Sequence, residues 1–316
     1  MGPAGGLIDV CERDPIDLDS AIVESSQTRC SILESRFILR IVPMGGQRLT
    51  SEMTTALERG LGILEHLAAH PDGLPLSLIA DAIDSPKSAC HRLLAELNAR
   101  GYVKQVRAQG DYVMTTKVAS LGLGFLSGSG IVDIAQPLIE RLADASGELA
   151  RLSIVDEDRL TWVAKSEGGR KGFRYDPDMG MDARLSCTSS GHAWLLTLSD
   201  ERAVALVSKQ GFGLPKDYGP KAPTTVKALL GFLHAARVRG YAMIDEVFAP
   251  GMAAVAAPVQ RPGRPAIGVI SIAGPRQRLT AARIQILASA LLDAARELAS
   301  ESSASGLFSR PPLGQA

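Results

Sequence analysis

Closely spaced turn signals between residues 54 and 116 constrain the fold of this chain more than any other feature of the sequence. A first helix is predicted behind an N-cap at Thr54 or Thr55, and the turn residues at 70–73 end it. Its apolar positions recur at helical spacing, at Leu57, Leu61, Leu64 and Leu67. A second helix is predicted over 76–82, with an inward face of Leu76, Ile79, Ala80 and Ile83.

A third helix is predicted after a tight turn, with Ser85 as N-cap and Pro86 at the first helical position, where its missing N–H costs nothing. It is expected to end at Gly101, a C′ glycine. The side chains expected to be buried are Ala89, Cys90, Leu93 and Leu97. Two strands are predicted next, at 102–106 and 112–116, joined by a loop of hairpin composition. Helix, turn, helix and hairpin in this order predict a winged helix-turn-helix.

Basic residues are concentrated on this third helix and on the hairpin. Between residues 85 and 107 there are five of them against one acid, Glu96, a local charge of +4 in a chain whose 34 Lys and Arg balance 34 Asp and Glu. The neutral total would argue against a nucleic-acid binder, but a sum over the chain hides this asymmetry.

Polar side chains on the outer face of the third helix would reach base edges in the major groove, where Arg92 would make a bidentate contact to guanine. Basic side chains on the hairpin would contact phosphates or the minor groove. The residues predicted to contact double-stranded operator DNA are Ser85, Lys87, Ser88, His91, Arg92, Lys104 and Arg107. The alternative is a solvated basic face on an unrelated helical bundle.

The rest of the chain divides by its patterning. Residues 1–52 lack sustained periodicity and are expected to form a disordered arm, with a translation start at Met44 or Met53 as a hypothesis. The winged helix-turn-helix is placed at 53–117, a linker helix at 118–130, a second domain at 131–301 and a flexible tail at 302–316. Strands are predicted at 149–155, 160–166, 252–259 and 266–271, and helices at 131–145, 189–197, 225–239 and 280–300. Interleaved strands and helices predict an α+β fold with a sheet flanked by helices.

Several classes of function are disfavoured by what the sequence lacks. The sequence has no run of about 18 apolar residues that would cross a membrane, and its N-terminus does not resemble a secretion signal. Its four cysteines include no CxxC pair. We therefore expect a cytoplasmic protein without membrane attachment, metal or cofactor. The motifs GxGxxG, GxSxG and HExxH and a P-loop are absent. His66 and His70 lie four apart, but a metal would need a third ligand. Cys187 and His192 suggest a thiol nucleophile, although a small buried cysteine is the simpler interpretation.

Motifs in both halves of the chain are similar to those of one known family. The first half contains RGLGILEHLA, LSLIADAIDSPKSACHRLLAELNARGYV and KVASLGLG, and the second half contains LSCTSSGHAWL, GYAMIDEVFAPGMAAVAAPV and GVISIAGPRQRLT. Over Thr54 to Ser300 the chain resembles the IclR-type transcriptional regulators. The resemblance implies a homodimer or homotetramer on a partly palindromic operator, acting as repressor or activator of a catabolic operon. It also implies a GAF-like effector-binding domain at 131–301 that holds a small organic acid and has no catalytic activity.

The resemblance places the effector site at the backbone N–H groups where a helix begins, at 188–191. Such groups and the helix dipole attract a carboxylate without a buried basic residue, although a plain helix cap would use the same residues. The residues predicted to line this site are Leu185, Thr188, Ser189, Ser190, Gly191, Ile244, Asp245, Met252, Ala254, Ser271 and Ala273.

Three of these positions depart from the family pattern. Ile244 stands where an acid is common, Ala254 where a cysteine is common, and Ala273 where a serine is common, which leaves Ser271 as the remaining hydroxyl. The changes remove polar partners that a small hydrophilic ligand would need. We therefore hypothesise a larger, more apolar acid, aromatic or branched, rather than glyoxylate or pyruvate.

Two alternatives stay open on the sequence. Arg174 and Arg184, near Tyr175 and Trp194, would grip a carboxylate directly, unless they belong to a solvated loop with the nearby aspartates. The rival function is an enzymatic or metabolite-binding module whose N-terminal helices mediate association. Specific binding to operator DNA distinguishes the regulator from this rival.

Overall fold

The computed structural model describes residues 55–107, 110–169 and 179–301. The predicted arm at 1–52, with its alternative start sites, and the predicted tail at 302–316 lie outside the described residues. The domain boundaries proposed from the sequence stay a prediction.

The first half of the described chain forms three helices and a hairpin. These are α1 (Ala56–Ala68), α2 (Leu76–Ala82), α3 (Lys87–Ala99), β1 (Val103–Gln105) and β2 (Tyr112–Met114). Thr55 caps α1 in a capping box, since its Oγ1 accepts from the Glu58 N–H at 3.2 Å and its own N–H donates to Glu58 Oε2 at 2.6 Å. The two strands are antiparallel, with Val103 opposite Met114. The predicted helix-turn-helix and hairpin are therefore present.

The structure selects among the periodic apolar positions of α1, and it corrects the predicted packing of α3. In α1, Leu67 is buried together with Ile63, while Leu57 and Leu61 are 71% and 51% exposed. In α3 the buried side chains are Cys90 and Leu94, with Leu93 and Leu97 only partly buried. Apolar residues spaced three or four apart occupy adjacent stripes of a helix, and only contact with the other helices selects one of them.

The predicted N-cap of α3 is also shifted by one residue. Pro86 holds the N-cap position, and no side chain caps the helix. Ser85 is half-buried, and its hydroxyl makes no hydrogen bond within the described residues. The preceding residue, Asp84, has a φ of +46°, so it closes the turn in the left-handed region that short polar side chains tolerate.

The second half of the described chain is a five-stranded sheet covered by helices. After α4 (Thr116–Ser129) and α5 (Ile131–Ser146) come β3 (Leu149–Asp156), β4 (Arg159–Glu167), α6 (Ser189–Leu195), α7 (Asp200–Gln210), a 3-10 turn (Pro215–Asp217), α8 (Val226–Arg239), β5 (Ala242–Asp245), β6 (Met252–Val259), β7 (Gly268–Pro275) and α9 (Ala281–Glu301). The strand order is β4-β3-β7-β6-β5, and each pair is antiparallel. This arrangement confirms the predicted α+β fold.

Two elements were not predicted from the sequence, α7 and β5. In α7 the buried positions Ala203, Leu206 and Val207 are few among charged neighbours, so its amphipathic signal is weak. β5 begins two residues after Gly240, which ends α8, and with four residues it is too short for a period-two pattern to stand out.

Each face of the sheet packs on its own set of helices. One face and helices α5 and α9 share a core that includes Leu152, Val255, Ile270, Ile272 and Leu291. On the opposite face Ala256 and Val269 join a second core with residues of α6, α7 and α8. Strand alternation therefore turns Arg151, Ala254, Ser271 and Ala273 toward this second face.

No single described helix is long and apolar enough to cross a membrane. Helices α4 and α5 reach that length and apolar content only when taken together, and they are bent by 86° where they join.

Candidate functional site

The outer face of α3 and the hairpin carry the residues predicted to contact DNA. Side chains of Lys87, Ser88, His91 and Arg92 are exposed along α3, opposite Cys90 and Leu94, which anchor the helix. Lys104 and Arg107 are exposed on the hairpin. Among the predicted DNA contacts only Ser85 departs from this pattern, because it is half-buried in the turn. The role of these residues in binding DNA stays a prediction.

Most of the positive charges on this surface are not neutralised by acidic side chains of the described residues. The one acid of the segment, Glu96, accepts from Arg100 Nε at 2.6 Å one helical turn away, so these two charges satisfy each other. Among the described residues, Lys87, Arg92, Lys104 and Arg107 take part in no ion pair. The first turn of α3 has no side-chain cap, so its leading backbone N–H groups add a positive dipole end to the same surface.

Residues that follow the hairpin form contacts with the end of α3. Lys117 Nζ donates to the Arg100 carbonyl at 2.6 Å and lies 4.6 Å from the centre of the Tyr102 ring. The Thr115 hydroxyl donates to the Gly101 carbonyl, also at 2.6 Å. These contacts fix the end of α3 to the base of the hairpin that carries Lys104 and Arg107.

A pocket opens on the second face of the sheet, beside α6. The space between its lining residues is about 340 Å³ when the part open to solvent is included. The lining residues come from β3, β4, β5, β6, β7, the start of α6 and the loop before β6; they are Arg151, Trp162, Thr188, Ser189, Ser190, Ile244, Phe248, Met252, Ala253, Ala254 and Ala273.

Seven of the predicted effector-binding residues line this pocket and four do not. The seven are Thr188, Ser189, Ser190, Ile244, Met252, Ala254 and Ala273. Leu185 is packed in the core under α6, and Gly191 lies against the Leu185 backbone, where a Cβ would come within 2.6 Å of the Leu185 Cα. Asp245 is bound instead by Lys221 Nζ at 2.5 Å and Arg276 Nε at 3.0 Å. Ser271 is buried in the sheet and absent from the lining.

The three family-departing residues form one row across the sheet. Ile244 on β5 is directly opposite Ala254 on β6, which is opposite Ala273 on β7. They share an apolar cluster with Cys187 and Val247. One wall of the pocket is therefore hydrocarbon.

Arg151 and Trp162 are pocket residues that the sequence reasoning missed. Arg151 is only 5% exposed, and its guanidinium carbon lies 4.2 Å from the centre of the Trp162 ring. Phe248 in the loop before β6 was also missed. A usable signal was the basic residue in the middle of the apolar strand LARLSIV, because a strand interior tolerates a cation only where it meets something polar or anionic.

Cys187 and His192 do not form a nucleophilic pair. Burial raises the pKa of the Cys187 thiol to about 12. Burial also lowers the pKa of His192 to about 4, against a weaker opposing effect of its hydrogen bond to Ser186. The His192 Nε2–H donates to the Ser186 carbonyl at 2.7 Å, which fixes the neutral ring in the core. At neutral pH there is neither a thiolate nor an imidazolium here, in line with the small buried cysteine expected.

The remaining sequence candidates are placed elsewhere. Arg184 donates from Nη1 to the Gln210 carbonyl at 2.9 Å and does not line the pocket, while Arg174 and Tyr175 lie outside the described residues. His70 Nδ1 bonds the carbonyl of His66 at 2.8 Å. No group of three or more potential metal ligands occurs in the described ranges.

Two family models match the chain. The IclR helix-turn-helix domain matches residues 56–107, and the model described as bacterial transcriptional regulator IclR C-terminal matches residues 124–300. The chain belongs to the IclR family of transcriptional regulators. The family and the fold class predicted from the motifs are thus confirmed for this IclR-family protein.

Relatives along most of the chain are regulators of transcription. The IclR-family protein is 28% identical over 244 residues to the acetate operon repressor of Salmonella typhimurium, across 77% of this chain and 88% of the relative. It is 32% identical over 243 residues to the HTH-type transcriptional regulator BhcR of Paracoccus denitrificans, across 77% of this chain and 85% of the relative.

Among solved structures, an IclR homolog of Microbacterium hydrocarbonoxydans complexed with 4-hydroxybenzoate shares the fold. It has a TM-score of 0.67 at 20% identity and covers 79% of this chain and all of its own.

Proposed function

We propose that this IclR-family regulator binds operator DNA as a homodimer or homotetramer through α3 and the β1–β2 hairpin, and that a small organic acid in the pocket changes that binding. The observation that carries the proposal is the exposed row Lys87, Ser88, His91 and Arg92 on a helix whose opposite face is buried. Basic and polar side chains on the outer face of such a helix read base edges in the major groove. We further propose that the protein has no catalytic role, in keeping with relatives that are named as regulators.

Exposed apolar side chains support self-association. Leu57 and Leu61 on α1 and Leu121, Leu123 and Phe125 on α4 are all more than half exposed. Several large apolar side chains exposed close together, as Leu121, Leu123 and Phe125 are on α4, are typical of a protein interface. Two copies related by a twofold axis would present two α3 helices to the two halves of a palindromic site.

The pocket supports an effector larger than glyoxylate or pyruvate. The row of Ile244, Ala254 and Ala273 offers hydrocarbon where a small hydroxylated or oxo acid would need hydrogen-bond partners. The Microbacterium hydrocarbonoxydans homolog, whose structure contains 4-hydroxybenzoate, illustrates that this fold accommodates an aromatic acid.

Replacing Arg92 with alanine is expected to weaken binding to the specific operator by about 5- to 150-fold, the range for loss of one bidentate base contact. A gel shift with DNA from upstream of the protein's own gene measures the change. Arg100→Ala is the matched control, because Arg100 is the C-cap residue of the same helix but is paired with Glu96. It should bind nearly as well as the unmodified protein. If the unmodified protein binds no DNA specifically, with or without ligands, the rival metabolite-binding module replaces the regulator.

Lys104→Ala is expected to act on phosphate binding rather than on sequence recognition. Affinity for operator and for unrelated DNA should fall by similar factors, and the slope of log affinity against log salt concentration should shrink by about 1. Fluorescence anisotropy over a salt series measures both quantities. A loss confined to the operator would place Lys104 on a base instead.

A further inference from the structure

The loop between β5 and β6, residues 246–251, supplies one wall of the pocket. Phe248 in this loop lines the pocket and is itself only partly buried, so its ring stands between the pocket and solvent. Hydrogen bonds of Glu246 close the base of the loop, since its N–H donates to the Met252 carbonyl at 2.7 Å and its Oε1 accepts from the Gly251 N–H at 3.2 Å. The position of the loop therefore decides how far this side of the pocket is closed.

A second segment, residues 218–222, runs along this loop and is called the strap below. Its Lys221 N–H donates to the Glu246 carbonyl at 3.1 Å, and its Gly219 N–H lies 3.1 Å from the Phe248 carbonyl. These hydrogen bonds tie the strap to the start of the loop and to Phe248 itself.

The strap approaches the loop so closely that a side chain at residue 219 would not fit. A Cβ added at Gly219 would lie 2.1 Å from the Glu246 carbonyl oxygen, well inside van der Waals contact. One residue earlier, the Tyr218 ring lies 6.3 Å from the Phe248 ring, measured between centres. Both rings pack on the apolar cluster that contains the row across the sheet. The strap thus holds Phe248 against the apolar wall of the pocket.

Four charged side chains join the strap and the loop to the end of β7. Lys221 Nζ lies 2.5 Å from Asp245 Oδ2 and 3.5 Å from Glu246 Oε2. Arg276, which directly follows β7, donates from Nε to Asp245 at 3.0 Å and from Nη1 to Glu246 at 2.8 Å. Both cations therefore bind both carboxylates. Exposed ion pairs such as these add little to global stability, but a loop opens locally at a much lower cost than the whole domain unfolds, so a few contacts control its opening.

We propose that Lys221 and Arg276 are positioning residues of the effector pocket, which hold the β5–β6 loop through Asp245 and Glu246 so that Phe248 closes the pocket. Neither cation lines the pocket, so both act on the effector only through the loop. The proposal rests on the function proposed above for what the pocket holds, a small organic acid. It gives Asp245 a part in effector binding without contact to the effector.

Quenching of Trp162 fluorescence by acrylamide measures how open the pocket is without any ligand. Trp162 lines the pocket and is 3% exposed, and Trp194→Phe leaves it as the one tryptophan of the chain. In that background Lys221→Met should raise the quenching constant by about twofold or more, because loss of the charge lets the loop open. Gly219→Ala should raise it as well, since the added Cβ pushes strap and loop apart with no change of charge. Lys221→Arg, which keeps the charge, should leave it unchanged.

Each change has a matched control away from the pocket. Lys209→Met removes an exposed lysine that pairs with Asp158 at 2.8 Å, and Gly231→Ala adds a Cβ on α8 where nothing lies within 4 Å. Both should be quenched like the parent Trp194→Phe protein. The midpoint of urea unfolding should fall no further in Lys221→Met than in Lys209→Met, because both lysines are exposed.

Three results would overturn the proposal. They are equal quenching of Lys221→Met and Lys209→Met, equal quenching of Lys221→Arg and Lys221→Met, and a urea midpoint that falls only in Lys221→Met.

Hydrogen exchange keeps the test decisive if Trp194→Phe fails to fold. In the otherwise unmodified chain, the amides of residues 246–251 should exchange faster with Lys221→Met than with Lys209→Met, while those of α9 should not change. Equal exchange of this loop in the two variants would contradict the proposal.

A gel shift with benzoate, an aromatic acid of the proposed class, separates this inference from the proposed function. If Lys221→Met opens the pocket in a protein that binds no DNA specifically, the inference stands and the proposed function fails. If benzoate changes specific operator binding and the quenching constants of Lys221→Met and Lys209→Met agree, the inference alone fails.

Discussion

Replacing Arg278 with alanine is expected to lower the free energy of unfolding by about 3–5 kcal/mol, the cost of removing one partner of a buried ion pair. The Glu148 side chain is 3% exposed, and Arg278 donates to both its oxygens, from Nε at 2.6 Å and from Nη2 at 2.7 Å. Without the guanidinium the carboxylate stays buried without its charge partner. The pair also joins the start of β3 to the segment that leads into α9, so its loss weakens one side of the sheet.

Urea unfolding followed by circular dichroism measures this effect. Arg276→Ala is the matched control, two residues away, because Arg276 is 44% exposed and pairs with Asp245 and Glu246 at the surface. Its cost should not exceed about 1 kcal/mol. Adding Glu148→Gln to Arg278→Ala should recover part of the stability, because a neutral amide costs less to bury than an unpaired charge. Equal losses from Arg278→Ala and Arg276→Ala would contradict the assignment.

Acidification from pH 7 to pH 4 is expected to remove about 3 kcal/mol of stability through His192 alone. Its pKa is about 4 in the folded protein, because burial disfavours the charged ring, and about 6.5 in an unfolded chain. Above pH 6.5 the ring is neutral in both states, so His192 adds no pH dependence. Between these two pKa values only the unfolded state takes up the proton. The free energy of unfolding therefore decreases by about 1.4 kcal/mol for each unit by which the pH is lowered, and it levels off below about pH 4.

The comparison variant for this pH effect is His192→Gln, which does not titrate and keeps an N–H donor for the Ser186 carbonyl. Unfolding free energies of both proteins at half-unit steps from pH 7.5 to 4 give a difference curve from which other titrating groups cancel. The expected curve is flat above pH 6.5 and slopes below it. A flat curve throughout would mean that His192 is not held neutral by burial.

Much of the winged helix-turn-helix followed from local chemistry. The predicted span of α2 matches the observed helix, Leu76–Ala82, and the exposed polar positions of α3 were assigned correctly. In α1 the periodicity of Leu57, Leu61 and Leu67 did not decide which of them are buried, since Leu67 is buried and the other two are exposed. Leu57 and Leu61 are exposed on α1 and are therefore available for the contact between copies of the chain that we propose.

The pocket was predictable only in part. Motif resemblance located Thr188, Ser189 and Ser190, and it marked Ile244, Ala254 and Ala273 as departures from the family. It also included Asp245, which follows Ile244 in the family motif. Strand alternation instead turns neighbouring residues to opposite sides, and Asp245 ends in a surface ion network with Lys221 and Arg276.

By itself the sequence determined most of the helices and strands, the family to which the chain belongs, and the positive surface of α3, because caps, turns, periodicity and charge act over a few residues. Only the tertiary structure decided that Arg151 shares a pocket with Ile244. Those residues are far apart in the chain and meet through the pairing order β3-β7-β6-β5. That pairing depends on which faces of the sheet the helices bury. Burial is a property of the whole core, so it cannot be inferred from a local sequence pattern.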